Sequence, residues 1–444
     1  MKKKNTISKR IFSTTLLLAV MFISANSYAN GFPVPAGLEQ LIDEGQKTNQ
    51  ELAAIEDTVT ALESQAPAVG TWDDPRIGIG ISNLPTDSFS FNQEPMTQKQ
   101  IALSQKIPWF GKLDLKSQNI TLRALGLKAS LKAKRLTLTR KISDRYYTLA
   151  FIDSSLRTNK QLTDMVSQLL KVSETRYAAG KGLQQDVLQA QVELSKLLDE
   201  KLTLLNQRKV VESKINELIN RPNFLPVTPV VDSKVPSVDL NDDFLQKVAL
   251  ANNPWIKVRR IGIEQSDVGI KLAEKDYYPN FDFKLAYGQR EDDQLGRDRA
   301  DFVSGFVTMS VPLWAAKKQG NNLTATKKKK EAAQKAVQGL VDTIPHQVKS
   351  LAAELRTLWK NYQLYREGLI IQAEQWASSS LAAYEVGKVE FNTMINSQIR
   401  LARLQLKAEK YRFSIFQKYA ELEEVLGGPM YGENTESHLQ TDKG

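Results

Sequence analysis

Between Arg76 and Ser82 the chain alternates apolar and small residues, with Ile77, Ile79 and Ile81 separated by Gly78 and Gly80. After a polar loop, Pro85 to Thr97, the alternation resumes: Ile101, Leu103 and Ile107 stand against Ala102, Ser104 and Lys106. The same beat returns at Phe281, Phe283, Leu285 and Tyr287. Beyond the loop EDDQLGRDRAD it continues at Val303, Val307, Met309 and Val311, opposite Ser304, Thr308 and Ser310. Period two marks a strand with one apolar face, so the chain is expected to hold two β-hairpins. In a soluble sandwich the apolar face would enter a core, but each hairpin is expected to stand isolated among long helices. An apolar outer face with a small or polar inner face is the pattern of a membrane barrel wall, and about ten residues suit such a strand. Trp72, Trp109, Tyr277, Tyr278 and Trp314 sit near the strand ends, where an interfacial aromatic girdle belongs. Four strands cannot close a barrel, so several chains would have to share one.

Around the hairpins the period becomes helical. Short helical segments are expected at Leu41 to Ser64 and Phe244 to Lys275, one before each hairpin. The whole stretch from Trp109 to Arg221 lacks proline, and its only turn signal is Ala179-Gly180-Lys181-Gly182. A helix from Leu115 to Ala179 would reach about 100 Å, longer than any compact domain needs. The second hairpin is followed by the same plan, with a kink expected at Pro345 and a turn at Gly387. The descending helices carry apolar stripes, one through Val187, Gln191, Leu194, Leu198, Leu202 and Leu205. The other runs through Ile395, Ile399, Ala402, Leu406, Phe413, Phe416 and Ala420, and coiled-coil packing is expected along both.

These halves are copies. Asn49 matches Asn253, Pro75 matches Pro279 and Pro108 matches Pro312, each 204 residues apart; Gly180 matches Gly387 at 207. Landmarks in constant order and spacing mark a tandem repeat. The chain therefore divides into a leader over 1–29, a first repeat over 30–222, a Pro-rich linker over 223–241, a second repeat over 242–428 and a polar tail over 429–444.

Composition narrows the function. The 444 residues include no Cys, which removes disulfide scaffolds, zinc ribbons and thiol catalysis. His346 and His438 are the only histidines, so neither an enzyme nor a metal site is expected, and no cofactor is implied. Lys2, Lys3, Lys4, Lys9 and Arg10 precede the apolar stretch Ile11 to Ile23 and Ser27-Tyr28-Ala29. This is a cleavable export signal, with cleavage expected after Ala29. The formal charge of +10 then falls to +5, a poor basis for a polyanion partner, and nothing resembles a nucleic-acid module.

Export, two hairpins for a shared barrel and two long helical hairpins together resemble the TolC outer membrane efflux family. The most specific segments are RYAAGKGLQQDVLQAQ (Arg176–Gln191), AAYEVGKVEFNTMINSQ (Ala382–Gln398) and SQKIPWFGK (Ser104–Lys112). SQKIPWFGK, with the DDP segment at Asp73–Pro75, looks most like the metal-efflux branch. The resemblance implies a mainly α fold with β: a homotrimer whose protomers each give four strands to one transmembrane β-barrel above a long α-helical coiled-coil barrel. It places the protein in the outer membrane of a Gram-negative bacterium, with a periplasmic extension. The implied partners are outer-membrane lipid, a periplasmic adaptor and an inner-membrane pump, of the resistance–nodulation–division type.

By the same resemblance, Gly180, Leu183, Val386 and Gly387 match adaptor-docking positions at the tips. Asp186 and Tyr384 match residues that narrow the pore, and Glu390 is a further acidic candidate. Asp186 is expected to act through interhelical hydrogen bonds or ion pairs. Where some members carry two ring aspartates this chain has Thr393 and Asn396, which weakens a cation ring. The expected function is an exit duct for small substrates or metal ions. The alternatives are the outer-membrane component of type I protein secretion and, in another class, a periplasmic adaptor or coiled-coil scaffold.

Overall fold

The computed structural model describes residues 34–222, 225–231, 235 and 240–429. The leader with its cleavage point, much of the Pro-rich linker and the polar tail fall outside them. Two helices, α1 (Ala36–Thr48) and α2 (Gln50–Val69), lead into strands β1 (Arg76–Ser82) and β2 (Gln98–Ile107). Then come α3 (Lys112–Ala178) and α4 (Gln184–Leu218). The second half repeats this order as α5 (Asp242–Asn252), α6 (Pro254–Lys275), β3 (Phe281–Gln289), β4 (Phe302–Met309), α7 (Gln319–Leu364), α8 (Ile370–Glu385) and α9 (Phe391–Leu426).

The hairpins are not isolated. They join through β2 and β3 into one antiparallel sheet of order β1-β2-β3-β4. The register sets Ile77 against Leu103, Leu103 against Leu285, Ile101 against Tyr287 and Tyr287 against Val303. All four alternations therefore share one face, and that face is uncovered: Ile79 is 85% and Val303 72% exposed. Burying such a side chain is worth about 1.5–3 kcal/mol, so the sequence forgoes much stability unless an apolar medium covers the face. Phe302 and Phe306 break the pattern, falling on the otherwise small and polar face. Val311 lies beyond the end of β4.

Each expected short helix is two helices. Asn49 ends α1 and caps α2, its Oδ1 accepting from the amides of Glu51 (3.0 Å) and Leu52 (3.2 Å). Its Nδ2 donates to the carbonyl of Leu218 at the end of α4 (3.0 Å). Asn253 repeats the device, accepting from the amide of Trp255 (2.9 Å) and donating to the carbonyl of Val425 in α9 (2.9 Å). An Asn in extended conformation interrupts the helical ladder while satisfying the next helix's free amides.

Near the same place α9 ends at Gly427, with φ +85°, where an added Cβ would stand 2.3 Å from the Asn252 carbonyl oxygen. The shift from 204 to 207 residues also has an address. Pro108 to the start of α3 takes four residues, whereas Pro312 to the start of α7 takes seven. Beyond that, α3 and the α7–α8 rod begin and end 207 apart. The helical assignment runs on through Pro345, and a π-helical turn follows at Tyr365–Leu369.

The stripe expected to form the α4 seam turns inward only in part, with Leu194 packed against the buried cluster near the tip. The buried positions are Ala190, Leu197, Leu204 and Val211, one heptad apart, whereas Leu198 and Leu202 are more than half exposed. Within the chain α4 packs mainly along α3 and meets α9 near the tips, while among the described residues the side of α4 that carries Leu198 and Leu202 stays open. On α9, Ile395, Ala402, Phe413 and Phe416 are buried as expected.

Where sheet meets helices, Lys112 is almost fully buried, its Nζ 3.1 Å from Asn280 Oδ1 and 3.3 Å from Asp276. Asn280 Oδ1 also accepts from the amide of Trp109 (3.1 Å), tying the exit of β2 to the entry of β3. Trp109 stacks on Tyr278 at 4.8 Å.

Asn253→Ala removes a cap and the anchor to Val425 together, and is expected to cost about 1–3 kcal/mol. Gly427→Ala adds a clash to a left-handed backbone and should cost more than Gly387→Ala, which meets only the backbone penalty. Thermal unfolding of the three variants beside the parent checks both the sign and the order.

Candidate functional site at the helical tips

Two turns close the long helices. Alpha3 ends in Gly180, φ +69°, whose amide donates to the Tyr177 carbonyl (2.9 Å) while the Lys181 amide donates to that of Arg176 (2.8 Å). Alpha8 ends in Gly387, φ +75°, with the amides of Gly387 and Lys388 donating to Tyr384 (3.0 Å) and Ala383 (2.8 Å). Both are helix ends that need a left-handed residue, which is why glycine stands there. A Cβ at either glycine meets nothing within 4 Å, so the space outside both turns is open. Leu183 and Val386, 60% and 68% exposed, put apolar side chains on that open surface.

Behind the turns lies a closed apolar cluster. Tyr384, Phe391, Met394 and Ile395 from the second repeat pack with Val166, Ala190 and Leu197 from the first. Tyr384 is buried, not facing open space, with its ring edge-on to Phe391 at 5.8 Å. The guanidinium of Arg176 sits 5.1 Å over the Tyr384 ring, a contact that residue spacing along either helix does not reveal because it joins the two repeats. A second missed link runs from Gln189, which donates to Asn392 Oδ1 (2.8 Å), to Asn396, which donates to the same oxygen (2.6 Å). Gln189 and Asn396 occupy equivalent positions 207 apart; that pairing was the available signal.

Asp186 lies in the first turn of α4 and Glu390 at the N-cap of α9. Among the described residues Asp186 makes neither the side-chain hydrogen bond nor the ion pair that its position led us to expect. Burial pushes its carboxyl above the ordinary carboxylate value; the positive charge of Arg176 draws it back, and the negative charge of Glu390 adds to the rise. Asp186, Arg176, Tyr384 and Glu390 thus form one electrostatic group. Repeat symmetry is broken there: the equivalent of Asp186 is Thr393, and that of Glu390 is Leu183. Among the described residues no three His, Asp or Glu side chains are placed to hold a metal ion, and no helix is long and apolar enough to cross a membrane.

The chain matches the outer membrane efflux protein profile twice, over residues 41–221 and 245–428. It belongs to that family. Its fold is shared by a membrane protein of Pseudomonas aeruginosa (TM-score 0.75, 17% identity, covering 89% of this chain and 94% of that one). The outer membrane protein VceC of Vibrio cholerae is similar in the same way (TM-score 0.73, 16% identity, 89% and 97%). In sequence, 151 residues are 25% identical to the toxin and drug export protein A of Aggregatibacter actinomycetemcomitans, covering 34% of this chain and 33% of that protein. The matched part thus spans about a third of the length of such curated relatives.

The raised Asp186 value has a definite pH consequence. The folded tip prefers the protonated acid, so this contribution is complete below the unfolded value, about 3.9, and is lost as pH rises through the higher folded value. Hydrogen-exchange protection of the α4 N-terminal amides, corrected for intrinsic rates, should fall across that window. Asp186→Asn should flatten the profile, and identical profiles for the two proteins refute the assignment.

Proposed function

We propose that three copies of this chain assemble into an outer-membrane duct. Each gives four strands to a shared barrel, and the long helices of all three form a periplasmic tunnel. The observation that carries this reading is the sheet register. It aligns every apolar position of four strands on one uncovered face and leaves β1 and β4 with open outer edges. Open edges and an apolar face are both unstable in isolation, and pairing β4 of one copy with β1 of the next inside lipid resolves both. The unaccompanied face of α4, with Leu198 and Leu202 outward, gives the helices a matching reason to adjoin another copy.

The exposed turns at Gly180, Leu183, Val386 and Gly387 are proposed to receive a periplasmic adaptor that couples the duct to an inner-membrane pump of the resistance–nodulation–division type. Asp186, Tyr384 and Glu390 are proposed to set the width of the tunnel mouth, with Tyr384 acting as a packed support. The cargo is small molecules or metal ions; with two histidines and no cysteine in the chain, selection among metals is assigned to the pump and adaptor. The name of the Aggregatibacter relative, which joins toxin to drug export, favours a second reading, the outer-membrane step of type I protein secretion. Gene deletion separates them: loss of drug or metal tolerance with an unchanged secreted-protein profile supports efflux, and the reverse supports secretion.

Native mass of the detergent-extracted protein from outer membranes should equal three chains, and a soluble periplasmic monomer refutes the barrel. Gly387→Trp is expected to leave those trimers intact and abolish tolerance, since it fills the open space beside the turn.

A further inference from the structure

The polar face of the sheet divides into a neutral part and a charged part. Toward the loops its rows carry Gly78, Gly80, Gln100, Ala102, Ala286 and Gly288, with no charge. The two rows nearest the helices carry all of it. In one, Arg76 faces Ser104, Ser104 faces Lys284 and Lys284 faces Phe306; in the other, Lys106 faces Asp282. Three cations thus stand against one carboxylate.

Among the described residues, none of those four side chains makes a hydrogen bond or an ion pair. Neighbouring lysines are matched, Lys112 by Asp276 at 3.3 Å and Lys99 by Glu291 at 2.6 Å. Lys116 and Asp73 both line the adjoining hollow below, one charge of each sign. The surplus is therefore not consumed in holding the fold. Between Arg76 and Lys284 the face dips into a hollow of about 470 Å³, lined by Gly78, Ala102, Phe306 and the carboxylate of Asp282. The small residues leave room beside two cations, one carboxylate and an aromatic ring.

We propose that these two rows form an anion-selecting girdle where the barrel meets the tunnel, and that small organic anions with an aromatic portion pass through it. The carboxylate is taken by Arg76 and Lys284, and the apolar portion lies against Phe306. The proposal rests on the shared-barrel reading, which turns this face inward and repeats the surplus around one ring. A charged ring in a low-dielectric wall raises the local concentration of the opposite ion and thereby its permeability.

The test is the reversal potential of the purified protein in planar bilayers under a potassium chloride gradient, repeated with potassium benzoate. The parent should prefer the anion over potassium. Asp282→Asn should raise that preference, and Arg76→Gln/Lys284→Gln should lower it by about threefold. Neutral replacements are used because they disturb assembly less than charge reversal. Equal permeability ratios in all three proteins overturn the girdle while leaving the duct intact. A parent that passes no current overturns the duct itself, and the girdle with it.

Discussion

The ladder between β2 and β3 is the interaction on which the rest of the molecule depends. It runs from Lys99 against Gln289 to Ile107 against Phe281 and, among the described residues, is the only sheet pairing between the two repeats. Because it is antiparallel and in register, the alternation of one hairpin continues into the other without a slip. A shift of one residue would turn Phe283 and Leu285 to the polar side and bring Asp282 and Lys284 to the apolar one. The junction below enforces the register: Asn280 binds the backbone of Trp109 and the buried ammonium of Lys112, so β3 begins where β2 ends.

Duplication explains how the long helices stay oriented. Each repeat breaks its leading helix at an asparagine, and each asparagine reaches back to the end of the descending helix of its own repeat. The bond is the same in both, although its partners lie 169 residues apart in one and 172 in the other. That difference of three is the length gained in the connection from Pro312 to Gln319. An insertion in an exposed turn lengthens the path without disturbing the packed rods on either side.

The four strands and the repeat were legible in the sequence because period two and a constant offset leave direct traces, but the joining of the two hairpins into one sheet was not. The breaks at Asn49 and Asn253 were visible as matched residues, but helical periodicity carries across a cap and conceals it. The α4 seam was misread for a physical reason. Leucines populate both faces of that helix, and the more continuous stripe, Leu198, Leu202 and Leu205, is the exposed one. Pattern alone does not tell which apolar face packs within a protomer and which awaits another. At the tips, spacing located Gly180 and Gly387, which answer to backbone conformation. It gave no sign of Arg176 over Tyr384, because that contact depends on how two distant hairpins are laid side by side.

The central ladder also dictates an order of events. Its partner strands are separated by the whole of α3 and α4, so pairing them closes a very long loop, and the entropy of closure must be met before the first bond forms. Helical rods are built from local contacts, which form quickly; strand pairing at this separation is slow. The rods therefore precede the sheet and serve as its jig, bringing β2 and β3 to within reach only once both are standing. An apolar sheet face that arises last arises beside its destination, and spends the least time in water.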